Sequence, residues 1–264
     1  MDVLLLGYGA IGTYVARQLK QDRRIRRVVV LCRPGRRDHV LRTLGPNIEL
    51  LESLADADNR FSVAVECAGH QALQEHGPIL LASGVNLIAA STGALADAAL
   101  AARLHDAAAS GNTQLELVSG AVGAIDALAA ARIGGLSRVV YRGRKPPAGW
   151  RGSPADGVLD LNALTEAAVH FSGTAREAAL QYPRNANVAS TVALAGIGLD
   201  ETEVELIADP GVSANIHEIE AEGQFGRLSF QIAGNALPDN PKSSALTAMS
   251  IVAAVRRRLD LVRL

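Results

Sequence analysis

The sequence predicts an α/β protein built in two parts, and three observations predict it. Short apolar runs alternate with segments of helical periodicity up to about residue 135, the pattern of a parallel sheet covered on both faces. The first run, Asp2 to Leu6, passes directly into a Gly-x-Gly-x-x-Gly string that opens a helix. Beyond that point the alternation gives way to a proline- and glycine-rich stretch, then to three strand-like runs joined by short turns. The expected architecture is an N-terminal Rossmann domain, a doubly wound parallel sheet, over residues 1–120. A substrate and catalytic domain with an open-faced α/β mixed sheet follows over 121–240. A C-terminal helix over 241–264 packs back toward the first domain and closes the structure.

Asp2 to Leu6 reads as a buried parallel strand. Ile11, Val15 and Leu19 form the stripe of the helix that ends near Lys20. Arg27 to Cys32 is a second strand, His39 to Leu44 a short helix and Ile48 to Leu51 a short strand. Phe61 to Cys67 is a strand, Gln71 to Ser83 a helix stopped by Gly84, and Asn86 to Ala90 a strand. Asp97 to Ser110 is a helix, Leu115 to Val118 a strand and Ala124 to Ile133 a helix. In the second part Ser137 to Arg142 is a strand, and residues 143–160, with the only Trp, read as a long exposed loop. Ala175 to Leu180 and Asn187 to Ala195 are helices. Glu203 to Ala208, Ala214 to Glu222 and Arg227 to Ala233 are strands of an antiparallel or mixed sheet. Ser243 to Leu259 is a closing helix whose basic end suits the helix dipole.

The 264 residues carry a formal net charge of -1, with 48% hydrophobic and 20% charged side chains. That balance excludes a disordered chain and lacks the basic footprint of a nucleic-acid binder. Two cysteines make no disulfide framework, so a reducing compartment is expected. The terminus MDVLLLGYGA has no basic region ahead of its short apolar run, and no stretch approaches a membrane-spanning length. The expectation is a cytoplasmic enzyme. Phe, Trp and Tyr together number nine, so small side chains must fill much of the core. The histidines other than His217 are scattered, and no metal site is predicted.

Gly7, Gly9, Ala10, Ile11 and Gly12 are the candidate pyrophosphate cradle. Gly7 permits the tight turn, Gly9 admits the phosphates and Gly12 lets helix and strand pack closely. The helix amino end adds N–H donors and a positive dipole. NAD-specific sites place a carboxylate at the end of the second strand, but here Leu31-Cys32-Arg33 is followed by Arg36 and Arg37. The guanidinium cluster at Arg33 suits a 2′-phosphate, so NADP is expected beside NAD as cofactor. Cys67 and Ala68, ending another strand, complete the cofactor candidates, although the Cys67 thiol itself reads as a small buried hydrophobe.

Alternation along Asn215 to Glu222 puts Asn215, His217, Ile219 and Ala221 on one face and Glu218, Glu220 and Glu222 on the wet one. His217 is therefore either a satisfied core residue or a proton-transfer group. Asn240, Lys242, Ser243 and Ser244 cluster at the expected start of the last helix. There Asn240 is the expected N-cap, Pro241 takes the first helical position, and the cluster can hold a carboxylate. Asn215 joins these as a substrate-binding candidate. Lys145 and Arg144 are weaker ones, and Trp150 is either a surface aromatic or a cap over the site.

The chain resembles the short bacterial and archaeal L-aspartate dehydrogenases. The resemblance rests on Gly7 to Gly12, Glu66-Cys67-Ala68-Gly69, Ser119 to Leu128, Arg144-Lys145-Pro146-Pro147, Phe171 to Glu177, Tyr182 to Asn187, Asn215-Ile216-His217 and Pro238 to Ser244, in this order. It implies a fold similar to dihydrodipicolinate reductase and homoserine dehydrogenase. It also implies oxidative deamination of L-aspartate to iminoaspartate with NAD or NADP, feeding NAD biosynthesis, in a homodimer. By the same resemblance His217 is the catalytic acid/base, and Ala121 and Asn187 are further cofactor contacts. Where many relatives are acidic this chain has Arg33. The alternatives are another NAD(P)-dependent amino-acid-pathway dehydrogenase or reductase on this scaffold, and an NAD(P)-sensing protein without turnover.

Overall fold

A computed structural model of the chain describes residues 1–57, 61–238 and 240–262, with the side chains of Pro241 and Lys242 outside the description. The chain forms two compact units: Met1–Val118 with Thr247–Leu264, and Ser119–Leu246.

The first unit runs β1 (Asp2–Leu6), α1 (Ala10–Lys20), β2 (Arg27–Leu31), α2 (Arg37–Leu44), β3 (Glu49–Leu51), β4 (Val63–Glu66), α3 (His70–Ala82), β5 (Asn86–Ala89), α4 (Ala98–Gly111) and β6 (Leu115–Leu117). The strands pair in the order β3-β2-β1-β4-β5-β6, all parallel, which is the doubly wound order. Burial follows the strand period. Val3 and Leu5 pack with Val15 and Leu19 of α1 and with Ile251 and Val255 of the chain's last helix. Leu4 and Leu6 pack with Leu73, Leu80 and Leu104 on the other face. This is why β1 shows no alternation in sequence: both of its faces are core. Asp97 caps α4, accepting from the amides of Ala99 and Leu100.

The second unit contains α5 (Ile125–Gly134), β7 (Leu136–Lys145), β8 (Ala168–Thr174), α6 (Ala175–Gln181), α7 (Asn187–Ala195), β9 (Glu203–Ala208), β10 (Asn215–Gly223) and β11 (Gly226–Gly234). Its mixed sheet has the order β11-β10-β7-β9-β8, with only β7 and β9 parallel. One face, carrying Val139, Tyr141, Val204, Leu206, Ile219 and Ala221, packs on Leu128 of α5 and on Val188, Ala189 and Val192 of α7. The opposite face carries ion pairs: Arg138 with Glu203 at 2.8 Å, Arg142 with Glu205 at 2.8 Å and Glu220 at 3.2 Å, and Arg144 with Asp209 at 2.6 Å. A two-stranded ribbon of β12 (Ala236–Leu237) and β13 (Asn240–Ser244) then leads into α8 (Ala245–Arg257). The basic end of α8 is paired, with Arg257 and Arg258 both on Glu116.

Three expectations are corrected. The exposed loop expected over 143–160 is largely structured: β7 runs on to Lys145, and one-turn helices occupy Pro147–Gly149 and Pro154–Gly157. Trp150 is 0% exposed and its indole N–H donates to the Ile207 carbonyl at 2.9 Å, so it is core rather than a surface cap. The closing helix starts at Ala245 instead of Ser243, and Asn240 is not its N-cap. A residue ahead of proline is pushed toward extended backbone, and here Asn240 pairs with Leu237 in the ribbon. The strand β8 was not anticipated.

Replacing Trp150 with Ala should destabilise the fold by about 3–5 kcal/mol, the usual cost of truncating a buried Trp. Urea unfolding of the variant against the parent measures this.

Candidate active site

The candidate cofactor cradle lies in the first unit, at the carboxyl ends of β1, β2 and β4. Gly7 has φ +105°, and a Cβ there would meet Ala68 at 2.9 Å. At Gly12 a Cβ would meet the Gly7 carbonyl oxygen at 2.3 Å, so only glycine lets α1 start this close to β1. Gly9 faces open space and is the N-cap of α1, where no side chain caps the first-turn amides and no acidic residue opposes an anion. A dinucleotide pyrophosphate fits such a cradle. Ala10 and Ile11 lie in that first turn.

Glu66 organises the neighbouring loop. Its carboxylate is 0% exposed and accepts from the amides of Ala68 (2.7 Å), Gly69 (2.8 Å) and Ser91 (3.1 Å) and from the Ser91 hydroxyl (3.0 Å). Burial pushes its carboxyl above the usual range, against the pull of those donors. The Cys67 thiol donates to the Leu6 carbonyl at 3.3 Å and lies behind Gly12, so a cofactor would meet the backbone of this residue. Burial raises that thiol well above its ordinary value, which leaves it protonated. Arg33, Arg36 and Arg37 are exposed after β2.

The second unit holds the titratable cluster. His217 of β10 is 4% exposed on the helix-covered face, and its Nδ1 is 2.7 Å from the Tyr141 hydroxyl. The register opposes His217 to Gly143, with Tyr141 two residues away on the same strand face. A Cβ at 143 would meet the Tyr141 hydroxyl at 2.8 Å, so the glycine clears the path by which the phenol reaches the imidazole. Burial, helped by the Lys145 charge, lowers the His217 pKa to about 3, and burial raises that of Tyr141. At neutral pH the imidazole is therefore uncharged.

Lys145 follows Gly143 by two residues on the same face. Its ammonium lies 4.7 Å over the Trp150 ring and donates to Asn185 Oδ1 at 3.3 Å. Burial lowers its pKa to about 8. His170 of β8 packs on Trp150 with ring centres 4.4 Å apart and meets the Tyr182 hydroxyl through Nδ1 at 3.1 Å. Burial and the Lys145 charge lower its pKa to about 4.

Of the other candidates, Ala121 is buried in the loop ahead of α5, and Asn187 is the first residue of α7. Asn215 opens β10, and its register partner Gly234 lies near the Ser244 hydroxyl. That hydroxyl is buried without a partner among the described residues. Asn240 donates to Ser243 at 3.1 Å. The Lys242 side chain and Asp239 lie outside the described residues. Arg144 is engaged by Asp209. Sequence reasoning missed Tyr141, Gly143, His170 and Glu66. The parity of Tyr141, Gly143 and Lys145 on one strand was the available signal, hidden by ending that strand at Arg142. Among the described residues no group of three or more His, Cys, Asp or Glu is placed to hold a metal, and no helix is long and apolar enough to cross a membrane.

Residues 126–258 match the family described as aspartate dehydrogenase, C-terminal, and residues 7–117 match the homoserine dehydrogenase NAD binding domain. An L-aspartate dehydrogenase of Ruegeria pomeroyi is 54% identical over 261 residues, covering 99% of this chain and 94% of that protein. One from Cupriavidus necator is 48% identical over 99% of both. The chain belongs to the aspartate dehydrogenase family. The crystal structure of aspartate dehydrogenase from Thermotoga maritima superposes with a TM-score of 0.76 at 26% identity, covering 100% of this chain and 99% of that one. Family membership together with the glycine cradle makes the chain an oxidoreductase that uses a nicotinamide dinucleotide.

The two buried imidazoles bind protons more weakly folded than unfolded. Unfolding therefore takes up protons, and stability, full above about pH 6.5, falls as pH drops toward the folded values of about 4 and 3. Urea unfolding of the parent should show this decline between neutral and acid pH. A His170→Gln/His217→Asn double variant should show a shallower one, and an equal slope in both would count against these assignments.

Proposed function

We propose that the chain is an NAD(P)-dependent L-aspartate dehydrogenase. It converts L-aspartate, water and oxidised cofactor into oxaloacetate, ammonium, a proton and reduced cofactor by way of iminoaspartate. The observation that carries the reading is His217: an imidazole held neutral by burial, fixed by a phenol, in a chain about half identical to proteins named L-aspartate dehydrogenase.

The cofactor, when bound, supplies hydride acceptance from the substrate α-carbon. Gly7, Gly9, Ala10, Ile11 and Gly12 would hold its pyrophosphate, with Ala68, the Cys67 backbone, Ala121 and Asn187 as further contacts. His217 removes a proton from the substrate ammonium, which frees the nitrogen lone pair to assist hydride departure. Once that proton has passed to solvent, the same imidazole takes a proton from the water that adds to the imine carbon and returns it to the departing ammonia. Tyr141 holds the ring in one orientation throughout. Asn215, Asn240, Lys242, Ser243 and Ser244 are the proposed substrate-binding group. Arg33, exposed where a ribose-binding carboxylate would stand, supports acceptance of NADP. The same reading extends to a cytoplasmic homodimer whose imino product feeds NAD biosynthesis, and light scattering of the purified protein checks the dimer.

His217→Ala should lower turnover of L-aspartate by about 10²–10⁴-fold, read as reduced-nicotinamide absorbance. Near-parental turnover would remove His217 from the mechanism. Arg33→Asp should weaken NADP relative to NAD, and an unchanged cofactor ratio would refute the role given to Arg33.

A further inference from the structure

Among the described residues, no carboxylate answers the charge of Lys145. An ammonium taken largely out of water needs an anion or a set of aligned dipoles. Arg138, Arg142 and Arg144, on the other face of the same strand, each pair with a carboxylate. Lys145 has a ring face and a single amide oxygen, and no carboxylate pairs with it among the described residues. His170 Nε2, in the same cluster, is also buried without a partner among the described residues. Among the described residues, the titratable groups of this cluster carry no negative charge near neutral pH. They are the neutral imidazoles of His217 from β10 and His170 from β8, and the phenols Tyr141 from β7 and Tyr182 at the end of α6. Asp209, at the end of β9, is neutralised by Arg144.

We propose that Lys145 anchors a carboxylate of the substrate beside His217, the dicarboxylate itself being the counterion that this ammonium lacks. The inference rests on the dehydrogenase reading above and deepens it by naming what selects an acidic substrate. Position supports it: Lys145 and His217 lie on one sheet face, with Gly143, the register partner of His217, two residues before Lys145. A carboxylate on the ammonium thus comes to rest next to the imidazole that handles the amine. The anchor works only while Lys145 is charged, so affinity should hold at neutral pH and fall above about pH 8.

Succinate tests this because it has both carboxylates and no amine to titrate. Its binding to the cofactor-loaded enzyme is measured by calorimetry. Lys145→Met, which keeps the volume, should weaken succinate by about 10–100-fold, the cost of losing a hydrogen bond to a charged group. The parent's affinity should fall above about pH 8, and that fall should be absent in Lys145→Met. Lys145→Arg, charged at every accessible pH, should keep binding and lose the fall. Parental affinity in a folded Lys145→Met variant, or a fall above pH 8 that survives in both variants, would overturn the proposal. Absence of aspartate turnover in the parent would instead defeat the dehydrogenase reading, and calorimetry would still report on Lys145.

Discussion

A charge removed from water has to be met, and the two units meet theirs in opposite ways. Glu66 is answered internally: three amides and a hydroxyl converge on its carboxylate, and the loop after β4 takes its shape from them. Among the described residues, Lys145 is answered only by a ring face and one amide oxygen. The first arrangement makes a rigid wall beside the glycine turn. The second leaves a half-buried cation over the Trp150 ring with no carboxylate partner among the described residues. Such a residue lowers the stability of the empty protein and raises the affinity for an anion, the usual trade at a functional site.

Glycine serves both halves for the same steric reason. At Gly12 a side chain would strike the carbonyl of Gly7, and at Gly143 it would strike the hydroxyl of Tyr141. In the first case the missing Cβ brings a helix amino end close to a strand terminus. In the second it lets a phenol cross over its own strand to the next one and hold a buried imidazole. Burial then acts on both partners in complementary directions, keeping the phenol protonated and the imidazole unprotonated.

Much of this was legible in the residues. The parallel sheet of the first unit announced itself through Val- and Leu-rich runs bounded by glycine turns. α7 fell at Asn187 to Ala195 as its periodicity indicated, and the buried face of His217 followed from the glutamates alternating with it. Other parts were written in weaker signals. Ala168 to Thr174 mixes His, Ser, Gly and Thr, and it is a strand because β9 offers it an edge, not because its own pattern demands one. Trp150 sits among prolines and glycines that suggest solvent, yet the indole finds a carbonyl partner inside. Pro241 looked like the opening of a helix, but the pairing of Ala236 with Ser244 holds that segment extended. Each miss is tertiary pairing overriding a local preference.

The arginines of β7 have a bearing on how the second sheet assembles. Arg138, Arg142 and Arg144 share a parity and reach across to Glu203, Glu205 and Asp209 near the parallel neighbour β9, whose connection to β7 is long. Sliding β7 by a single position would turn three guanidinium groups toward the helices, a placement that desolvation opposes. A slide of two would respect parity yet carry Gly143 away from His217 and set a side chain in its place. Alignment is thereby proofread twice, coarsely by the charges outside and finely by one absent methyl within.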